Sequence, residues 1–435
     1  MLPTMKTRFE NSLEYARSMD SADELSQYRS EFILPQELGA ADGRSCVYLT
    51  GNSLGLQPRK TREYINAELD DWAKLGVEGH FHARHPWLPY HEFLTEMSAR
   101  LVGGKPGEVV VMNTLTVNLH LMMVSFYRPD SSRFKIIVEK GAFPSDQYAV
   151  ASQAKFHGYK PEDAVIELTP RPGEDILHTE DILETLRLHG KETALVLLGN
   201  VNYLTGQAFE VEKIAAEAHR QGAQFGLNLA HGAGNLLLKL HDWQVDFAVW
   251  CSYKYLNAGP GGLAGCFVHE KHANSFDLPR FAGWWGHNKA ERFKMGPVFD
   301  PIPGAEGWQL SNPPIFQLAA LRASLELFDR ATMPALRERG DRLTGYLEYL
   351  LQQIEPGFCT IITPSDPAQR GSQLSIRFKG DGKELLERFK QQGVVCDFRE
   401  PDIIRATPAP LYNSFEDVYR FYEVVSLFAR QGGAA

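Results

Sequence analysis

The sequence has no long apolar run. Stretches such as 194–198 are far too short to span a bilayer, so a membrane protein is not expected. It also has little cysteine. The five, Cys46, Cys251, Cys266, Cys359 and Cys396, are odd in number, widely spread and form no C-x-x-C pair. That argues against a disulfide framework or a zinc site and fits reduced thiols in a cytoplasmic protein. No basic stripe is present: Lys and Arg are scattered among Asp and Glu, and the net charge is −9. A nucleic-acid partner, which needs concentrated positive charge to neutralise phosphates, is therefore not expected. The first twenty residues contain no apolar core of a secretory signal. Repeats and low-complexity tracts are absent apart from a short tail, 431–435, expected to fray.

What is there is an ordinary enzyme-like composition, 43% hydrophobic and 23% charged. At 435 residues the chain can hold one large α/β domain and a smaller one. Seven stretches read as strands: 108–112, 134–139, 164–168, 194–198, 224–229, 246–251 and 263–269. Several are apolar on successive residues, as when helices cover both faces of a sheet. Between two of them, EVEKIAAEAHRQG puts Ile214, Ala215 and Ala218 on one helical face and ends on Gly222. Strand, helix, strand in that order predicts a mostly parallel sheet.

Further on, Thr332 and Pro334 mark a helix start, followed at helical spacing by Leu336, Leu343, Leu347, Leu350 and Ile354. Two strand-like runs, the helix KELLERFKQQG and a last helix over 415–430 complete a small α+β domain. The expected division is a segment 1–75 packing with the small domain, a large domain 76–315 and a small domain 316–435.

Ligands of open α/β sheets sit beyond the carboxyl ends of the strands. One expected strand ends in Asn228-Leu229-Ala230-His231, another in Ser252-Tyr253-Lys254, and 257–262 is a Gly-rich turn where backbone could approach a cofactor. A lysine at such a place is a candidate for imine formation, since burial disfavours the ammonium form of any lysine. Taken alone, Lys254 reads as a surface lysine and His231 as a structural histidine. Met112, Met122 and Met123 read as core.

The stretch NLAHGAGNLLLKLHDWQVDFAVWCSYKYLNAGPGG closely resembles the core of the kynureninases, in which D-x-A-H precedes W-C-S-Y-K-Y-L-N-x-G. YLTGNSLGLQP (48–58), VMNTLTVNLH (111–120), FPSD (143–146), TGQ (205–207), GWWGH (283–287), LSNPPI (310–315) and IRATPAPLYNSF (404–415) extend the resemblance along nearly the whole chain. It implies a fold-type-I enzyme dependent on pyridoxal 5'-phosphate (PLP), with a seven-stranded, mostly parallel sheet. It also implies a homodimer with active sites at the subunit interface. The implied reaction is hydrolysis of kynurenine or 3-hydroxykynurenine to an anthranilate and L-alanine, in tryptophan catabolism and NAD biosynthesis.

Carried over, Lys254 is the Schiff-base lysine and proton shuttle, and Tyr253 the proton donor to the β-carbon. Phe143 stacks on the ring, with Pro144 and Ser145 beside it, while Leu115, Thr116 and Tyr253 grip the phosphate. Asp146 and His231 lie beside the ring, and Trp284 and Asn312 donate to the cofactor through the indole N–H and the carboxamide. Arg405 clamps the substrate carboxylate. His80, Ser311 and Asn312 match the form of the family that prefers the 3-hydroxy substrate.

One position departs. Asn228 stands where the family has the Asp that pairs with the pyridine nitrogen, 26 residues before the lysine. Either activity is reduced, in which case Asn228→Asp raises turnover about 10- to 1,000-fold, or Asp146 takes over the role, or the chain is a relative that tolerates the change. Two rival readings are another fold-type-I lyase of the cysteine desulfurase kind, which needs a cysteine on a mobile loop, and a non-catalytic PLP-binding protein.

Overall fold

Strands that are apolar in unbroken succession need cover on both faces, and the segments between them supply it as helices. The computed structural model describes residues 9–40 and 43–432, so most of the expected frayed tail lies outside the described residues. Seven strands form the central sheet: β1 (Val109–Val111), β2 (Lys135–Glu139), β3 (Val165–Leu168), β4 (Thr193–Gly199), β5 (Gln224–Asn228), β6 (Phe247–Trp250) and β7 (Gly265–Val268). Each lies within two residues of its expected stretch. Their order is β1-β7-β6-β5-β4-β2-β3. β2 runs parallel to β3 and β4, β4 to β5, and β5 to β6, whereas β7 is antiparallel to both β6 and β1.

Five helices of this unit matter below: α1 (Lys60–Leu75), α2 (Leu115–Phe126), α3 (Pro144–Phe156), α4 (Val211–Arg220) and α5 (Ile315–Ala331). On α4, Ile214, Ala215 and Ala218 are the buried face, and Gly222 just beyond it takes the left-handed φ of 80° that a helix end commonly demands. Met112, Met122 and Met123 are core residues, packed in one cluster with Phe126 and Phe247, whose rings stack at 5.1 Å.

The second unit gathers the residues up to Leu56, Leu204–Gly206 and those from Pro334 on. Its helix α6 (Met333–Leu351) buries Leu343, Leu347 and Leu350 against an antiparallel sheet of β8 (Cys359–Ile361), β9 (Leu374–Phe378), β10 (Asp397–Arg399) and β11 (Ile403–Ala406). Two of these four strands match the expected runs; β10 and β11 were not expected. The N-terminal helix Leu13–Ser21 packs on α7 (Phe415–Gly432), where the Asp20 carboxylate accepts the Phe415 and Glu416 N–H groups at 2.7 and 2.9 Å.

The divisions fall after Leu56 and Met333 rather than at 75 and 315. The reason is that α1 packs on α5, with the Tyr64 hydroxyl donating to Glu326 at 2.5 Å and the Arg322 guanidinium 4.2 Å from the Tyr64 ring centroid. Among the described residues no helix is long and apolar enough to cross a membrane.

Candidate active site

In the large unit the carboxyl ends of β2, β4, β5 and β6 open into one cleft, which the start of α2 also lines. Lys254 comes four residues after β6, and its Nζ stands 3.1 Å from His231 Nε2 and 5.7 Å from the Phe143 ring centroid. His231, three residues after β5, is 5% exposed. Phe143 immediately precedes α3 and is 43% exposed, so a flat apolar face is available to a ligand. Tyr203 meets Phe143 edge-on at 5.4 Å.

Asp146 lies in the first turn of α3. Its Oδ2 accepts the Asn228 side-chain amide at 2.7 Å, while Oδ1 is closed off from solvent with no hydrogen-bond partner. Burial pushes the Asp146 carboxyl up to about 6, against the opposing pull of the Asn228 hydrogen bond and the Lys254 charge. The Asn228 oxygen accepts the Ala230 N–H at 2.9 Å. Tyr253 is pushed up to about 12, by burial first and then by the neighbouring Cys251 thiol.

Leu115 and Thr116 open α2, and both line the cleft. Thr114 at the N-cap makes no side-chain capping bond, and the first turn holds no acidic residue. First-turn amides without a capping side chain, on a twelve-residue helix, form a natural anion site.

The cleft thus brings together Leu115, Thr116, Phe143, Ser145, Asp146, Asn228, His231, Tyr253 and Lys254. Other expected site residues are not among its lining. Pro144 is the first residue of α3 and exposed. Trp284 is 39% exposed, and its indole N–H, expected to serve the cofactor, goes to the Arg292 carbonyl at 3.0 Å. Ser311 and Asn312 are exposed just before α5. His80 is half-buried, its Nδ1 2.9 Å from the Val77 carbonyl. Arg405 belongs to the second unit, on β11, where it is 1% exposed and its Nε donates to Asp397 Oδ1 at 2.7 Å.

The Gly-rich turn 257–262 does not line the cleft either; its Gly259 and Gly261 have left-handed φ of 88° and 67°. Sequence reasoning missed Glu139, Gly199, Val201, Tyr203 and Ala230, all of which do. For Glu139 a signal existed, a carboxylate closing the otherwise apolar run Ile136-Ile137-Val138.

The C-terminal part of the chain, residues 336–425, matches the kynureninase C-terminal domain family. A kynureninase of Myxococcus xanthus is 66% identical over 97% of this chain and 99% of its own. One of Koribacter versatilis is 56% identical over 95% of this chain and 97% of its own. The chain belongs to the kynureninase family.

The fold is shared more widely, at identities too low to carry anything but architecture. A cysteine desulfurase of Thermococcus onnurineus superposes with a TM-score of 0.77 over 93% of this chain and 98% of its own, at 17% identity. A C-DES mutant with glycine covalently linked to its PLP cofactor gives 0.74 over 88% and 96%, at 18%. These neighbours identify the α/β architecture as that of fold-type-I PLP enzymes. The desulfurase-like reading itself is not favoured. Cys251 and Cys266, the two cysteines of the large unit, are both buried, so neither offers the exposed thiol that such chemistry needs.

Proposed function

We propose that the protein is a PLP-dependent hydrolase that cleaves the Cβ–Cγ bond of kynurenines, releasing L-alanine and an anthranilate, within tryptophan catabolism and NAD biosynthesis. The observation that carries this reading within the family is the setting of Lys254, an amine in a cleft between His231 and the face of Phe143. The other cleft residues fit the cofactor. The start of α2 suits its phosphate, Phe143 its ring, and the unpartnered Asp146 Oδ1 its ring N–H. When bound, PLP supplies an electron sink for negative charge developing on the substrate carbons.

The chain's own residues divide the remaining work. Lys254 takes and returns the α-proton. Tyr253, kept protonated by burial, gives a proton at the β-carbon. His231 orients Lys254. Pro144 and Ser145 hold Phe143 and Asp146 at the helix start, and Arg405 takes the substrate carboxylate. Trp284, Ser311 and Asn312, exposed and outside their own cleft, serve the active site of a partner in a homodimer. His80 and Asn312 meet the ring hydroxyl of 3-hydroxykynurenine. The reduced thiols fit a cytoplasmic location.

Lys254→Ala is the test. The wild-type chain should take up PLP with a visible absorption band and release alanine from 3-hydroxykynurenine, and the variant should lose both. PLP uptake without alanine release would leave a silent binder instead.

A further inference from the structure

Glu139 is used neither by the sequence reading nor by the chemistry above, yet it lines the same cleft as Asp146 and Lys254. It is the last residue of β2 and 4% exposed. Its two oxygens are fully committed to one wall of the cleft. Oε1 accepts the Gly199 N–H and Oε2 the Asn202 side-chain amide, each at 2.7 Å. Gly199 ends the neighbouring strand β4, so the side chain prolongs the β2–β4 pairing beyond the last backbone pair.

The fit is close. A Cβ on Gly199 would stand 2.7 Å from Glu139 Oε1, nearer than ordinary contacts allow. The residue after Asn202 is Tyr203, whose ring edge abuts Phe143. A line of contacts therefore runs from Glu139 through the 199–203 loop to the ring-stacking residue.

We infer that Glu139 is a positioning residue of the cofactor cleft, fixing the 199–203 wall behind Phe143 and setting a second carboxyl behind Asp146. This rests on the PLP reading given above. Two supporting facts concern charge. Burial pushes Glu139 up to about 7, with Asp146 adding to the rise and the Asn202 and Gly199 bonds opposing it. Asp146 itself stands raised. The titratable groups facing the pair from the surrounding elements are Tyr203, His231, Tyr253 and Lys254 in the cleft, and Glu167 of β3 across an adjoining apolar cavity. Once ionised, above about pH 7, the Glu139 carboxylate adds negative potential where the cofactor's cationic nitrogens would lie, which raises the pH at which they lose protons.

Two variants separate the roles. Glu139→Gln removes the charge but keeps an acceptor for Gly199, and its amide can pair with Asn202 once that side chain turns over. Glu139→Ala removes both. PLP dissociation constants, thermal melts and the pH midpoint of the visible band are measured on wild type and variants. Glu139→Ala should weaken PLP binding about tenfold or more, as expected for two charge-assisted hydrogen bonds lost at the wall. Glu139→Gln should bind PLP within about threefold of wild type while its band midpoint falls by about one pH unit, a tenfold change in proton affinity.

If Glu139→Ala does not fold, the midpoint in Glu139→Gln still decides. A Glu139→Gln protein with wild-type midpoint overturns the inference, as does one that binds PLP no better than Glu139→Ala. A wild-type chain that takes up no PLP overturns the proposed function and this inference together. A PLP-binding wild type beside unaltered variants overturns the inference alone.

Discussion

Asn228 donates its amide to Asp146 Oδ2 at 2.7 Å and accepts from Ala230 N–H at 2.9 Å, bonds that fix its orientation, whereas Asp146 Oδ1 is buried with no hydrogen-bond partner. The geometry favours Asp146 as the partner of the pyridine nitrogen and Asn228 as the group that aims it. The two substitutions then differ in consequence. Asp146→Asn should lower kcat by about 10- to 1,000-fold, corresponding to about 1.4–4 kcal/mol of lost stabilisation. Asn228→Asp sets a second carboxyl at hydrogen-bond distance from the first, and two such groups share a proton rather than ionise together. Turnover at neutral pH should therefore stay within about threefold of the parent and rise with pH as that shared proton leaves. Steady-state kinetics at matched PLP occupancy check both, and a large gain from Asn228→Asp at pH 7 would return the role to position 228.

Tyr253, raised to about 12, stays protonated through the whole working range of pH. Tyr253→Phe should cost about 100- to 10,000-fold in kcat, the usual worth of a general acid. In the parent, the alkaline limb of the kcat profile should not begin below about pH 10 on this group's account. A phenylalanine variant with near-parental kcat would remove Tyr253 from proton transfer.

How much of this was legible in the sequence differs by element. The seven strands of the large sheet were legible because both their faces are covered, leaving unbroken apolar runs. β10 and β11 were not. Each is short, and charged residues such as Asp397, Arg399 and Arg405 interrupt the pattern because they pair with one another inside the small unit. The division after Leu56 was illegible for another reason: α1 is held by α5, more than two hundred residues away in the chain, and no local pattern announces such a partner. Lys254, Tyr253 and Asp146 could be named from their motifs. Tyr203 could not, since its position matters only once β2 and β4 are neighbours, and Glu139 left a single mark, a carboxylate closing the apolar run of β2.

Stability should depend on Asp246, a carboxylate 1% exposed just ahead of β6. It accepts from the Phe225 N–H at 2.7 Å and pairs with His219 and His272 at 2.8 Å and Lys271 at 2.7 Å, tying β5, α4 and the segment after β7 together. Burial opposes its ionisation, yet the histidine bonds and the Lys271 charge outweigh burial and hold the carboxyl well below its ordinary value. A group depressed on folding contributes stability that is present above its unfolded pKa and lost as pH falls towards its folded one. Asp246→Ala should thus cost about 1–3 kcal/mol at pH 7, since it strands the buried Phe225 N–H and takes the carboxylate from three partly exposed cationic partners. The gap should hold at pH 5 and narrow only below about pH 4, where the unfolded carboxyl begins to protonate. Thermal melts of both proteins across that range measure it.

Substrate choice should turn on His80. Its Nδ1 lies 2.9 Å from the Val77 carbonyl, which makes that nitrogen the donor and leaves Nε2 as an acceptor for a phenolic O–H. The Trp87 ring, edge-on at 5.4 Å, helps hold the imidazole in this orientation. A site furnished with such an acceptor disfavours the substrate that lacks the hydroxyl, because the acceptor then goes unpaired. The parent should therefore show a higher kcat/KM for 3-hydroxykynurenine than for kynurenine. His80→Phe should reduce the 3-hydroxy value by about 10- to 100-fold, the range expected when a partly buried hydrogen bond to substrate is lost, and should leave the kynurenine value nearly unchanged or raised. Asn312→Ala in the same assay apportions the preference between the two candidate partners. If His80→Phe lowers both substrates equally, the imidazole supports the site indirectly rather than reading the ring. If the parent itself treats the two substrates alike, neither His80 nor Asn312 reads the hydroxyl.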